Sequence, residues 1–194
     1  MVIYIKNVRY KVILVIAIVA ILTFIVAIWY KNSIYPFRFA EKFYKDNEKH
    51  INYIVTYFEG FDNIYSAQMK VNGITQTISS EGLKKVECTS DAGYESLLFL
   101  RKKYIDNSNE QYSNQSYMLN FVKAEYDDNG NMALKIPVYA RILDTDGSVD
   151  SPNRIVYYLV YSDDNYSGDA TSNIIKQNVI NDNWFVISES HTSG

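Results

Sequence analysis

The sequence predicts an α+β fold preceded by an apolar N-terminal helix. Three observations carry that expectation. An uncharged run, Val12–Trp29, comes first, and a helical period then holds from Phe37 to Phe61 and again from Tyr94 to Ile105. From Tyr117 onward the apolar period changes from 3.6 to 2. Helices gathered ahead of strands indicate an α+β domain, with the helices covering one face of a curved antiparallel sheet.

The opening run spans eighteen residues with no charge and one hydroxyl, Thr23. A helix of that length rises about 27 Å, against a bilayer core of roughly 30 Å. Tyr10, Trp29 and Tyr30 stand where an aromatic belt lies. A cleaved signal peptide and a buried soluble helix compete with this reading. A signal has an apolar core of about 7–15 residues and a small-x-small exit. Here the run is longer, and bulky residues follow the candidate exit near Ile25 and Ala27. The expected organisation is a cytoplasmic tail at 1–11, a transmembrane helix at 12–30 and an exported domain at 31–194. Val12, Leu14, Ile18, Ile21, Phe24, Ile28 and Trp29 would face lipid. Lys6, Arg9 and Lys11 before the span are nearly balanced by Lys31, Arg38, Lys42 and Lys45 after it. The short N-terminal tail therefore decides orientation, giving a single-pass protein of the cell (plasma) membrane with its C-terminal domain outside the cytoplasm.

Residues 31–194 hold 16 basic and 22 acidic residues, with no basic stripe. Direct nucleic-acid binding is not expected, because it needs clustered Lys and Arg against phosphate. Cys88 is the only cysteine, so there is no internal disulfide framework and the compartment need not be oxidising.

The next element is one long helix over Phe37–Phe61, with Pro36 suited to its first turn and Gly60 to its end. Phe37, Ala40, Tyr44, Asn47, Ile51, Ile54, Phe58 and Phe61 form an apolar stripe interrupted only by Asn47. The stripe packs on the domain's own sheet or makes a seam with a partner, and Phe37, Tyr44, Ile51, Ile54 and Phe58 are its candidate contacts. Two and a half heptads are too few to establish a coiled coil. Residues 62–90 alternate only weakly and read as a short strand or a loop. "GYESLLFLRKKYID" is helical, with Tyr94, Leu97, Leu98, Arg101 and Ile105 in step and Asp91 as N-cap. "NSNEQYSNQ" is a linker.

The strands follow. "YMLNFVKAEY" and "MALKIPVYARIL" flank the turn "DDNGN". Leu134, Ile136, Val138, Ala140 and Ile142 are expected on one face, with Lys135, Pro137, Tyr139 and Arg141 on the other. Pro137 cannot donate to a ladder, so its strand is at an edge or bulged there. "RIVYYLVY" is dense in β-branched and aromatic residues, and "IIKQNVI" with "WFVISES" makes a last hairpin around Asn181–Asn183.

This layout resembles the NTF2-like (cystatin-like) superfamily in its long leading helix Phe37–Phe61, its meander Tyr117–Tyr161 and its closing "NDNWFVISES". With a single span ahead of that domain, the chain is similar to the VirB8-like components of conjugative type IV secretion systems. The resemblance implies a scaffold without chemistry or cofactor of its own. It also implies a domain that contacts itself, as a homo-oligomer, and other membrane or channel proteins, while residues 12–30 meet the lipid bilayer.

NTF2-like folds become enzymes when their cone-shaped pocket holds an acid or base, as in ketosteroid isomerase and scytalone dehydratase. The apolar inward positions here carry no ionisable group, leaving Tyr157, Tyr139 and Glu125 as candidates. A strand tyrosine is more often a packed ring than an acid, and Glu125 near a hairpin end is expected in solvent. His50 is expected at the surface or the stripe's edge, and His191 in a mobile tail. Cys88 lacks a surrounding motif. Asp144, Asp146 and Asp150 lie in "DTDGSVDS", but Gly147 falls at position 4 and Ile155 at position 12, so a turn is expected and not a calcium loop. There is no G-x-S-x-G, P-loop, G-x-G-x-x-G or C-x-x-C. Eighteen tyrosines, including Tyr112 and Tyr166 in polar loops, suit protein contacts. The rivals to a scaffold are an anchored small-molecule-binding protein or enzyme using the fold's pocket, and a cell-surface signalling or immunity partner. An empty apolar cone would favour the pocket reading, and a filled core the scaffold.

Overall fold

The computed structural model describes residues 2–106, 118–142, 154–163 and 176–191. The chain divides into two compact units, Met1–Arg38 and Phe39–Gly194. The first unit contains helix α1, Val2–Ser33, and the first residues of α2, Tyr35–Glu59. Within α1 the stretch Lys11–Ser33 is long and apolar enough to cross a membrane, and none of it is buried by the chain itself. Over Val12–Trp29 the helix is apolar all round, which matches a uniformly apolar surrounding better than a one-sided core. Thr23 Oγ1 donates to the Val19 carbonyl at 2.8 Å, so the run's hydroxyl is satisfied within the helix, as a lipid environment requires.

The second unit is α+β. An eight-stranded antiparallel sheet runs in the order β3-β2-β1-β4-β5-β6-β8-β7. Its strands are β1 Ser66–Lys70, β2 Ile74–Ser79, β3 Gly82–Glu87, β4 Phe121–Tyr126, β5 Met132–Ile142, β6 Arg154–Ser162, β7 Lys176–Val179 and β8 Trp184–His191. Between β3 and β4 comes α3, Ala92–Arg101, which widens into a π-helical turn at Lys102–Asp106. Asp91 caps α3 as its sequence suggests, its Oδ1 accepting from the Gly93 N–H at 2.7 Å.

The register puts Ala67, Met69, Thr75, Thr77, Val122, Ala124, Leu134, Ile136, Leu159 and Val186 on one face, and all are buried. α2 lies diagonally across that face. Tyr44 packs at a tilt against Trp184 of β8, 5.1 Å between ring centres, and thirteen residues later Tyr57 donates to Thr75 Oγ1 of β2 at 2.6 Å. Tyr126 of β4 donates to the Phe58 carbonyl at 2.7 Å, a second bond to an acceptor at the helix end that also takes the Phe61 N–H at 3.2 Å. α3 packs on α2 so closely at Gly93 that a Cβ there would fall 2.6 Å from Tyr57 Cβ.

α2 is broken at Asn47, where φ is −137° and ψ is 17°. The stripe's one polar interruption is thus a backbone irregularity. Its side chain replaces the lost helical bonding: Nδ2 donates to the Phe43 carbonyl at 2.6 Å and to Tyr104 Oη at 2.8 Å, and Oδ1 accepts from Lys103 Nζ at 2.8 Å. Both residues belong to the π-helical turn, so the two helix irregularities are tied to each other.

Two expectations for the strands change. Residues 62–90 form β1–β3, a complete antiparallel three-stranded unit. In β5 the register shifts between Pro137 and Tyr139, and Val138 is the extra residue. Of the two settings expected for Pro137, edge strand or bulge, the strand is internal and bulged, and the bulge reverses the alternation beyond it. Tyr139 joins Leu134 and Ile136 on the helix-covered face, while Ala140 turns to the side of Lys135 and Pro137. Ile142's side chain lies outside those described. The second face carries its own small core of Met118, Ala140, Val156, Tyr158, Val160 and Ile187.

Candidate functional site

The seven candidate anchor residues, Val12, Leu14, Ile18, Ile21, Phe24, Ile28 and Trp29, are all exposed on α1. Burying them needs something outside the chain. At roughly 25 cal/mol per Å² the apolar surface of such a helix favours a bilayer strongly. Beyond the run, the Arg38 guanidinium lies 5.8 Å above the Tyr30 ring, a cation–π contact within the first unit.

The candidate contact stripe sits differently. Ile51, Ile54 and Phe58 are 0% exposed and Tyr44 is buried, so their surface is used within the domain. Side chains with no accessible area cannot also contact a partner, and the exposed face of α2 is mostly polar, including Lys42, Lys45, Asp46, Glu48, Lys49, Asn52, Tyr53 and Thr56. Phe37 belongs to the first unit. Packing of this stripe on its own sheet therefore describes Ile51, Ile54 and Phe58.

The polar candidates are also placed. His50 Nδ1 is 3.2 Å from Ser96 Oγ, and its ring stacks on Phe99 at 4.1 Å. Burial, with Lys49 and Lys103 nearby, lowers its pKa. His191 ends β8 and does not lie in a mobile tail. Cys88 is buried, and Glu125 pairs with Lys123 at 2.6 Å in partial solvent exposure. Tyr139 and Tyr157 pack edge to face at 5.7 Å, and burial raises the pKa of Tyr157. Both read as packed rings.

A cluster that periodicity did not expose lies on the second sheet face. Lys135 Nζ reaches Glu189 Oε1 at 3.0 Å across the intervening strand β6, with side chains only 17% and 16% exposed. His191 Nε2 is 3.8 Å from Glu189 Oε2 and 3.2 Å from Tyr158 Oη. Burial lowers the His191 pKa, Arg154 and Lys135 adding to it and Glu189 opposing it. Burial, then Glu189, pushes the Tyr158 phenol well above its ordinary range. A neutral imidazole, a protonated phenol and a closed ion pair make a cross-strand tie. The one hint in the sequence is a lysine inside the apolar run "MALKIPV".

A groove of about 470 Å³ opens at one end of the sheet. The α2–β1 loop contributes Phe61, Asp62 and Tyr65, and the β4–β5 hairpin contributes Tyr126, Asp127 and Asp128. The hairpin is held by Asp127, whose carboxylate accepts from the N–H groups of Asn129 and Asn131 and from Asn131 Nδ2. The Tyr126 and Tyr65 backbones are joined through the Tyr126 N–H and Tyr65 carbonyl at 3.0 Å, extending the β1–β4 ladder to the rim.

Among the described residues no group of three His, Cys, Asp or Glu could hold a metal. Tyr112, the loop Asp144–Asp150 with Gly147, and Tyr166 lie outside the described residues. In comparisons with known proteins, no family model, no curated protein and no solved structure matches the chain.

Proposed function

We propose that this protein is a single-pass, membrane-anchored assembly subunit with a short cytoplasmic tail and an exported NTF2-like domain. Its nearest functional kin on this reading are the VirB8-like scaffolds of conjugative type IV secretion channels. The observation that carries the proposal is the pairing of a helix exposed and apolar over Lys11–Ser33 with a domain whose helix–sheet core is filled. Ile51, Ile54 and Phe58 from α2, Leu97 and Leu100 from α3, and Met69, Leu134, Ile136 and Leu159 from the sheet all have 0% exposure. On the NTF2-like reading, side chains this buried leave no empty apolar cone beside them. Work done by such a domain falls to its outer surfaces.

The order helix, hairpin, helix, meander supports the NTF2-like part of the reading, with the hairpin's first strand β1 pairing to the meander's first strand β4. The membrane supports assembly by raising the effective concentration of anchored copies, so weak contacts suffice.

The test is crosslinking of the full-length protein in its native membrane, followed by affinity capture and identification of the attached proteins. Recovery of transfer-channel components is expected. A clean capture containing none of them sinks the secretion reading.

A further inference from the structure

We propose that the groove between the α2–β1 loop and the β4–β5 hairpin is a docking site for a basic peptide segment of a partner protein, taking an Arg or Lys side chain between carboxylates and aromatic rings. This rests on the assembly reading and names the chemistry of the partner.

The lining supplies the argument. Its charged residues are Asp62, Asp127 and Asp128, and no Lys, Arg or His is among them. Asp127 is occupied within its turn, leaving Asp62 and Asp128, one on each wall, to meet a guest cation. Phe61, Tyr65 and Tyr126 line the same space. The Tyr126 hydroxyl is tied to the Phe58 carbonyl and buried enough that its pKa lies well above the ordinary phenol range, so it stays a neutral ring. Tyr65 is 58% exposed, a large ring left at the surface of a groove that the carboxylates also line. A ring quadrupole and a carboxylate both attract a cation, and the apolar stem of Arg or Lys lies along aromatic walls. Neither feature suits an anion or an uncharged apolar guest. At about 470 Å³ the half-open groove has room for one Arg or Lys side chain. The walls are held by backbone and side-chain hydrogen bonds, so little ordering is lost on binding.

The test uses the full-length protein in nanodiscs of zwitterionic phosphatidylcholine, which offers no anionic headgroup to the probe. A short acetylated, amidated peptide of alternating arginine and alanine is titrated in and compared with its citrulline isostere, which keeps the shape and loses the charge. Saturable binding of the arginine peptide alone is expected. Asp62→Asn with Asp128→Asn is expected to weaken it by about tenfold or more, since two ion pairs are lost. Tyr65→Ala is expected to weaken it by a smaller factor. Glu95→Gln with Asp182→Asn changes net charge equally at exposed sites outside the groove and should leave binding unchanged. Each variant is accepted only if its thermal transition matches the wild type. Absence of binding at millimolar peptide overturns the proposal, and so does equal weakening by the distant pair, which would mean simple charge attraction. The two proposals fail separately. If crosslinked capture recovers channel components unchanged from the Asp62→Asn, Asp128→Asn variant, the groove is not the docking site and assembly stands. If capture recovers none, assembly fails, and with it the docking of a partner in that assembly.

Discussion

Replacing Asn47 by Ala tests whether the break in α2 is held by one side chain. Asn47 is 3% exposed and makes three hydrogen bonds, to the Phe43 carbonyl, Tyr104 Oη and Lys103 Nζ. The Lys103 bond counts for little, because that ammonium is exposed and water replaces its partner. The other two are each worth about 1 kcal/mol net, and a carbonyl left buried without a partner costs about 1–3 kcal/mol more. Against this, Ala is a better helix former than Asn by about 0.6 kcal/mol. The sum is a loss of about 2–4 kcal/mol. For a domain of this size that lowers the melting temperature by roughly 5–15 °C. The assay is thermal and urea unfolding of the full-length protein in detergent, followed by circular dichroism, with Asn47→Asp beside it. Asp keeps the acceptor for Lys103 but sets a carboxylate against the Phe43 carbonyl, so it should be no better than Ala. If Asn47→Ala is as stable as the wild type or more so, α2 regularises without cost, and the tie between its break and the π-helical turn does not stabilise the fold.

Further predictions concern packing, pH and the anchor. Gly93→Ala puts a Cβ 2.6 Å from Tyr57 Cβ and 3.0 Å from the Tyr53 carbonyl, so it should destabilise by about 1–3 kcal/mol in the same unfolding assay. His50 and His191 both have pKa values lowered in the fold, so the unfolded chain binds protons more readily than the native one. Stability is therefore full above about pH 6.5 and falls as pH drops from there through the folded values, and His50→Gln with His191→Gln should flatten that slope. Ile21→Arg places a charge at the middle of α1 at a cost of about 2.5–3.5 kcal/mol for insertion, and should shift the protein toward the carbonate-soluble fraction of fractionated cells.

The hairpin β1–β3 shows why part of the fold escaped sequence reasoning. Its inward residues are Ala67, Met69, Thr75 and Thr77, and all but Met69 are small or hydroxylated, which weakens apolar alternation. The threonines are buried because α2 supplies a partner, Tyr57 donating to Thr75. β3 has no buried residue, so no alternation could mark it. The Lys135–Glu189 pair was hidden for another reason: its members lie on strands separated by β6 and meet only across the sheet face. The groove joins two loops more than sixty residues apart in sequence.

Local periodicity, charge and turn chemistry determined by themselves the uncharged run of α1, the stripe of α2 with its polar interruption at Asn47, the Asp91 cap and the hairpin at Asp127–Asn131, and narrowed Pro137 to an edge or a bulge. Each depends on residues within a turn or a strand of one another, and the physics acts at that range. Tertiary structure alone decided which way the chain faces after the bulge, whether Ile51 and Phe58 meet a partner or the sheet, and which carboxylates converge on one groove. These outcomes depend on how distant segments share a limited volume, because a side chain's surface can be buried only once.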